Sequence, residues 1–373
     1  MTDTDLDDDL DTTPPADHRF PCDACGSDFR FDPDARKLVC DHCGNTAELE
    51  EIPQARAMEE LDFQTALKGE LADEEIEETR TVQCNSCGAQ FEYDPAQHAS
   101  ECPFCATPVV SDTGPNKHIK PRGVLPFAVD EKAAREALQD WLGSLWFAPG
   151  GVDEYARKGR KMSGIYVPYW TFDADTKSQY TGARGKHYYV NQTVTRNGKT
   201  ETRRVRKTRW RSVSGRVARF FDDVLVLAST SLPKKYTDRL SPWDLSDLRP
   251  YQPEYLAGFR AEAYTVELDQ GFEEAKVIMN RQIERDVRFD IGGDAQRITT
   301  LKTQVRDVTF KHVLLPVWMA AYKYRGKTYR FVVNGRTGLV QGERPYSAWK
   351  IAFAVIVAAI IAGVAGYFIA LNQ

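Results

Sequence analysis

The apolar positions of this chain fall into three patterns. From Ile351 to Leu371 the run IAFAVIVAAIIAGVAGYFIAL carries no charge and no polar stripe, so it predicts one unbroken helix. At 1.5 Å per residue that helix spans about 30 Å, the thickness of a bilayer's hydrocarbon core. A spacing of three and four links Ala134, Leu138, Trp141, Leu142, Leu145 and Trp146. It predicts a helix from Glu131 to about Phe147, capped by Asp130 and stopped by Pro149, Gly150 and Gly151. Phe272, Ala275, Ile278, Met279 and Ile283 predict a second helix over 270–283 with Asp269 as cap. Leu49, Ile52, Met58, Leu61, Leu67, Leu71 and Ile76 recur at loosely helical spacing in an acid-rich stretch. That stretch reads as a partly helical spacer, and a solvated linker fits it as well.

Strand-like runs fill the rest: GIYVPYWTFDA, KHYYVNQTVT, KTETRRVRKTRWRSVSGRVARF, DDVLVLAS, QRITTLKTQVRDVTF, HVLLPVWMAAYKY and KTYRFVVN. Asn197-Gly198 is the dipeptide a two-residue hairpin favours, with further turns at Arg325-Gly326-Lys327 and Asn334-Gly335-Arg336. Pairing about Asn197-Gly198 sets Val190 opposite Val205, Gln192 opposite Arg203, Tyr188 opposite Lys207 and Tyr189 opposite Arg206. YVPYWTF and LLPVWMA share a Pro-x-Trp centre. Pro168 and Pro316 lack a ladder donor, which predicts an edge or a bulge at each.

The predicted arm is basic. Between Arg184 and Arg219 there are twelve Lys and Arg residues and a single acid, Glu201, in a chain whose net charge is −5. Arg203, Arg204, Arg206, Lys207, Arg209 and Arg211 are candidates for binding an anionic surface. Anionic lipid, nucleic acid and an acidic protein all fit, and so does a solvated edge strand kept from aggregating by its charge.

Cysteine spacing carries the clearest chemistry. Cys22/Cys25 precede Cys40/Cys43, and Cys84/Cys87 precede Cys102/Cys105, with the same separation in both halves. PCDACGSDFRFDP and QCNSCGAQFEYDP align beyond the sulfurs, so the unit is repeated. Two CxxC turns supply the four thiolates of a closed tetrahedral site, which predicts two zinc ribbons and two structural Zn²⁺ ions. Cys102-Pro103-Phe104-Cys105 suits iron as well. The first residues are acidic and lack an apolar leader, which disfavours a secreted disulfide framework. His42 and His98 are not needed as ligands, since four sulfurs already close each site.

No P-loop, HExxH, GxSxG or Rossmann fingerprint is present, and the six histidines form no motif, so the expectation is a protein without catalytic function. Tyr346, Trp349, Lys350 and Arg344 flank the entry of the C-terminal span, while Asn372 and Gln373 follow it. That bias predicts a tail anchor in the bacterial inner membrane with the bulk of the chain facing the cytoplasm. Ala354, Ala358, Ala362 and Gly366 line one face of the span and would permit homo-oligomerisation.

The resulting organisation is a multidomain α+β chain. It has a disordered acidic tail (1–19), zinc ribbon 1 (20–46), the acidic spacer (47–80), zinc ribbon 2 (81–110) and an extended linker (111–128). A mostly antiparallel β-rich domain with a few helices (129–345) and the transmembrane anchor (346–373) follow.

The cysteine knuckles, with IKPRGVLPF, GIYVPYW, PYQPEYLAGFRAEAY, HVLLPVWMAAYKYRGKTYRFVVNGRTG and the terminal span, resemble a family of bacterial membrane-anchored, TFIIB-type tandem zinc-ribbon proteins. Its members are often labelled primosomal protein N′ (replication factor Y), helicase-like. The ATPase motifs such a label requires are absent here, so the label reflects the knuckles. The resemblance implies a membrane adaptor whose ribbons dock protein partners, in some relatives envelope-stress proteins of the phage-shock type. A membrane-associated nucleic-acid-binding protein is the alternative.

Overall fold

Residues 20–50, 52–53, 59–86, 88–92, 102, 104, 111–147, 162–196, 199–324, 327–343 and 346–371 are described by a computed structural model. Near the N-terminus β1 (Arg30–Asp32), β2 (Lys37–Val39) and β3 (Thr46–Ala47) form a small antiparallel sheet. In the described residues of the following stretch, expected as a partly helical spacer, helix is confined to short pieces. The stretch holds β4 (Leu61–Asp62) and a five-residue helix α1 (Phe63–Leu67), then enters β5 (Ile76–Gln83). Gly69 at φ 72° ends the helical turn, and β5 gains more from ladder pairing than an acid-rich helix could supply on its own.

β5 is the centre of a second small sheet, between β6 (Gln90–Glu92) and β7 (Ser111–Ile119). Residues 111–119 are therefore a paired strand rather than a free linker, and the second cysteine unit extends from 76 to 119. After β8 (Gly123–Val124) comes α2 (Glu131–Gly143), with Asp130 Oδ1 accepting the Ala133 N–H at 2.7 Å as expected of its cap. The helix ends at Gly143 rather than Phe147, because Ser144 Oγ donates to the Trp141 carbonyl and the chain turns out of the core.

Two very long strands follow, β9 (Ser163–Arg196) and β10 (Lys199–Leu227). Their register places Val190, Gln192, Tyr188 and Tyr189 opposite Val205, Arg203, Lys207 and Arg206, as expected. Asn197-Gly198 itself lies outside the described residues, as do Arg325-Gly326 and Pro149 to Gly151. A short helix α3 (Lys234–Thr237), β11 (Arg249–Pro250) and β12 (Arg260–Ala261) lead into α4 (Leu268–Ile291). β13 (Ala295–Tyr324), β14 (Lys327–Asn334), β15 (Val340–Gly342) and α5 (Ala348–Leu371) complete the described chain.

α4 is longer than the predicted 270–283. Leu268, Gly271, Ala275, Met279, Ile283, Val287 and Ile291 are all buried, one every three or four residues. Four residues turn an α-helix by about 400°, so this stripe winds slowly round the helix. It follows the twist of the long strands α4 lies on. Asp269 is not the cap: Glu267 takes that position and Asp269 sits in the first turn. Gly292 (φ 65°) and Gly293 (φ 80°) end the helix.

The large sheet runs β10-β9-β13-β14-β15, and its centre is two copies of one unit. Val167 pairs with Leu315, and the register on either side is self-matching: Tyr166 pairs with Pro316 and Pro168 with Leu314. β12 runs parallel to β9 at Ile165 and Tyr166, as β8 runs parallel to β13 at Val313 and Leu314. Glu262 N–H donates to the Tyr166 carbonyl at 3.0 Å, and Leu125 N–H to that of Leu314 at 2.9 Å. Each half therefore reads short strand, helix, long strand with Pro-x-Trp, related by a two-fold axis through Val167 and Leu315.

This symmetry explains the two prolines, which sit inside the sheet rather than at its edge. Pro168 lies between the segment of β9 paired with β10, ending at Tyr169, and the segment paired with β12, starting at Tyr166. Pro316 lies likewise between the parts of β13 that pair with β8 and with β14. Each proline's carbonyl points into that gap and accepts one N–H, from Ala228 at 3.0 Å and from Gly335 at 2.9 Å. The missing N–H faces a break between partner strands, where no ladder acceptor is lost.

Alternation along the central strands separates two cores. Ile165, Val167, Tyr169, Val313, Leu315 and Val317 face the second cysteine unit, through Val82, Cys84, Phe91, Cys102 and Phe104. On the opposite face Trp170 and Phe172 pack on α4, while Tyr166, Leu314 and Trp318 pack on α2.

Candidate metal centre

Cys22 and Cys25 lie in the turn before β1, and Cys40 and Cys43 in the turn after β2. Both turns have the same backbone. Cys22 N–H donates to Ser27 at 2.7 Å and Cys40 N–H to Asn45 at 2.8 Å, while Gly26 and Gly44 donate back to the two cysteine carbonyls at 2.7 and 2.8 Å. Gly26 and Gly44 hold φ 74° and 75°, a conformation glycine adopts without a Cβ clash.

The four sulfurs come together, all within 4.8 Å of one another. Cys22 and Cys43 Sγ are 3.6 Å apart, and Cys25 and Cys40 Sγ 3.5 Å. Tetrahedral Zn²⁺ with bonds of about 2.3 Å needs sulfurs about 3.8 Å apart, so this donor set fits the ion, whereas a disulfide needs about 2.05 Å. Cys22 and Cys40 are buried against Phe29, Phe31 and Leu38, and Cys25 and Cys43 face outward. Asn45 Nδ2 donates to Cys22 Sγ at 3.6 Å, an outer contact that favours thiolate. The Ser27 backbone N–H draws the Cys25 thiol down to about 6. At Cys43 the Asn45 backbone N–H also favours thiolate, yet the neighbouring sulfurs of Cys25, Cys22 and Cys40, with burial, push it up to about 12. A cation between the four sulfurs would favour the thiolate form of all of them.

The second unit repeats the knuckle at Cys84: its N–H donates to Ala89 at 2.8 Å, Gly88 returns a bond at 2.8 Å, and Gly88 has φ 77°. Cys84 and Cys102 are both buried, beside Phe91 and Phe104. Cys87 and Cys105 lie outside the described residues. His42 is exposed and belongs to no four-sulfur group, while His98 lies outside the described residues.

Neither described cysteine unit stands free. Phe31 N–H donates to the Ala257 carbonyl at 3.0 Å, and the Phe31 ring meets Tyr255 edge-on at 5.2 Å. Phe91 bridges to Glu262, and Ala263 N–H donates to Gln90 at 3.1 Å. Both units therefore clip onto the residues around β12.

A second acidic cluster, Glu60, Asp173 and Asp223, sits where β10 and β13 both bulge beside β9. Its cation is a side chain. Lys311 Nζ, 2 % exposed, lies 2.6 Å from Glu60 and 2.8 Å from Asp223, which occupies the position a metal would need. Three carboxylates surround one ammonium, and burial with the nearby Glu60 charge pushes Asp173 up to about 7. Sequence reasoning missed this group because its members come from four separate segments. The one local signal was Lys311 standing inside an apolar strand.

His312, next in the chain, is a core residue: its Nδ1 is 2.7 Å from the Ile119 carbonyl, and burial pushes its pKa down to about 4.

On the basic arm Arg203, Arg204, Arg206, Lys207, Arg209 and Arg211 are all exposed. Its base is not the expected two-stranded ribbon, because β13 pairs with β9 from Gly185 inward and α4 backs it. The two-stranded part runs from Lys186 and Arg209 to Arg196 and Lys199, about 35 Å. Arg204 lies 4.5 Å over the Tyr189 ring, Arg209 5.4 Å over Tyr188, and Arg297 of β13 4.1 Å over Trp210. β10 pairs only with β9 among the described residues, leaving its other edge open.

Apart from Lys350, α5 is apolar and almost wholly exposed, with 21 residues, Ala348–Phe368, long and apolar enough to cross a membrane. Ala354, Ala358, Ala362 and Gly366 lie along it, the first two beside Trp146 and Phe147.

Over 350 residues the chain is 28 % identical to the uncharacterized protein YdjG of Bacillus subtilis (strain 168), covering 93 % of this chain and 94 % of that protein. No family model matches the chain. No solved structure matches it.

Proposed function

We propose that this chain is a zinc-binding adaptor of the bacterial inner membrane, anchored through α5, whose two zinc ribbons and β-rich domain hold protein partners at the cytoplasmic face. The observation that carries it is the four-sulfur group of Cys22, Cys25, Cys40 and Cys43, clipped by Phe31 to the domain that continues into α5. Four thiolates fill a tetrahedral ion and leave no position for a catalytic water, so the ion's contribution is rigidity. A second ion in the Cys84, Cys87, Cys102 and Cys105 unit is part of the same reading, supported by the repeated knuckle at Cys84.

The ribbons' aromatic faces are used up against the domain. Partner contacts fall to the outward knuckle of Cys25 and Cys43 and to the basic arm. The resemblance in sequence points to envelope-stress proteins of the phage-shock type as partners.

Nucleic acid is the second reading, favoured by Tyr188, Tyr189 and Trp210 on a basic hairpin. Arg209, Arg204 and Arg297 each lie over one of these rings, so a base would compete with a guanidinium for a ring face. That arrangement suits anionic lipid or acidic protein better. Affinity purification from native membranes tests the proposal: intact protein should retain protein partners that a Cys22→Ser/Cys25→Ser variant loses. Recovery of nucleic acid in place of protein would favour the second reading.

A further inference from the structure

α2 leaves the core at Gly143, and the turn after it carries two large apolar side chains away from the domain. Trp146 is 84 % exposed and Phe147 42 %, an arrangement water disfavours. The turn is held against the start of α5. Ser347 N–H donates to the Phe147 carbonyl at 2.8 Å, and Lys350 Nζ to the Trp146 carbonyl at 3.2 Å. Between turn and helix runs a groove of about 470 Å³, lined by Trp146, Phe147, Trp349, Phe353, Val357 and Ile361, with Ala354 and Ala358 as its small-residue floor. Lys350 is the one charge on its lining.

The groove's position along α5 identifies what fills it. From Trp349 to Ile361 it follows the helix for about 18 Å, over the first half of the apolar stretch. Trp349, itself 78 % exposed, and Tyr346 sit at the entry, where amphipathic rings prefer the glycerol and headgroup level. A surface that is apolar below and carries one ammonium above matches a phospholipid, with its acyl chain in the groove and its phosphate near Lys350.

We propose that the Trp146-Phe147 turn is a second membrane contact, a wedge inserted beside α5 that seats a lipid acyl chain and fixes how the β-rich domain sits on the bilayer. This rests on the reading of α5 as a membrane span. A single helix joined to a domain through Gly342 to Ser347 leaves the domain free to tilt; a second contact from α2 removes that freedom, because α2 is part of the core with Trp318 and Phe331. The basic arm is then held at a set angle to the surface.

The experiment uses the full chain in nanodiscs of phosphatidylcholine and phosphatidylglycerol, with bromine either shallow or deep on the acyl chains. Tryptophan emission is compared for the wild type, Trp146→Phe and Trp349→Phe. Of the seven tryptophans, Trp170 and Trp318 are buried and Trp141, Trp210 and Trp243 half-buried, and these five are common to every variant, so the differences between variants report Trp146 and Trp349. The proposal expects each single variant to lose about half of the emission that shallow bromines quench. If Trp349→Phe loses quenching and Trp146→Phe does not, the wedge is overturned while the span stands; a second copy, or another segment of the chain, filling the groove gives this same result. If neither residue is quenched and alkali extracts the protein, the membrane reading fails and the wedge with it.

Discussion

Trp170 and Trp318 occupy equivalent places in the two halves of the sheet, and each donates its indole N–H across the two-fold axis to the opposite half. Trp170 reaches the Val266 carbonyl at 2.9 Å and Trp318 the Val129 carbonyl at 2.7 Å. Both acceptors stand just before a helix, α4 and α2. Each half therefore places its helix against the strand of the other.

Replacing either indole by Phe keeps most of the apolar contact and leaves a half-buried carbonyl without its donor. Trp170→Phe and Trp318→Phe should each cost about 1–3 kcal/mol, and Trp→Ala about 3–5 kcal/mol. Denaturant unfolding in detergent, followed by circular dichroism, measures both. A cost below 0.5 kcal/mol for both Phe variants would remove the cross-axis bonds from the account.

The halves differ where the tryptophans meet the helices: α2 carries Ala134 and α4 carries Gly271 at the equivalent position. A Cβ on Gly271 would sit 2.6 Å from Trp170 Cδ1. Gly271→Ala should therefore destabilise by about 1–3 kcal/mol, although alanine favours the helix by up to about 1 kcal/mol. The same unfolding assay should show Gly271→Ser at least as destabilised.

Removing zinc should act locally at the first ribbon and more widely at the second. Cys40→Ser is expected to lower bound zinc by one ion per chain, and to expose Phe31 and Tyr255 to protease. Cys84 lies in the core that faces Val167 and Leu315, so Cys84→Ser should also lower the stability of the large sheet. Metal content by mass spectrometry with parallel limited proteolysis separates the two effects.

Asp173 sets a pH dependence. Burial and Glu60 raise its pKa from 3.8 to about 7 in the folded chain, so the folded state holds a proton that the unfolded chain has released. Stability should fall as pH rises from about 4 through about 7, then level off. Asp173→Asn, which keeps an acceptor for the Asp223 N–H at 2.7 Å, should flatten that slope. Unfolding midpoints in saturating zinc between pH 5.5 and 8 test the sign; an unchanged slope in the variant would exclude Asp173 as its source.

Trypsin should report what the basic arm touches. Cleavage after Arg203, Arg204, Arg206, Lys207, Arg209 and Arg211 is expected to slow on anionic proteoliposomes relative to neutral ones. Each cation near the surface contributes about 1 kcal/mol. High salt should erase the difference. Equal cleavage on both membranes would leave the arm to a protein partner or to solvent.

Much of this was legible in the chain. The knuckle spacing anticipated the four-sulfur group, because two CxxC turns constrain their sulfurs within a few residues of backbone. The hairpin register followed from the Asn197-Gly198 turn and the alternation around it, and the apolar run at 351–371 reads as one helix from composition alone. Local rules failed where pairing was distant. Residues 76–80 read as part of a partly helical spacer until β7 paired with them, and Pro168 and Pro316 read as edge or bulge residues until the breaks between their partner strands became visible.

The four-sulfur group of Cys22, Cys25, Cys40 and Cys43, the hairpin register and the apolar helix could all be read from the chain alone, since each depends on side chains close together along it. It took the folded chain to show that two Pro-x-Trp strands form a two-fold pair, that Lys311 is buried between Glu60 and Asp223, that the aromatic faces of the cysteine units are buried, and that Trp146 lies beside α5. Those relationships join residues tens to hundreds of positions apart. Burial and electrostatics select them only once the sheet brings the segments together, and no local periodicity encodes them.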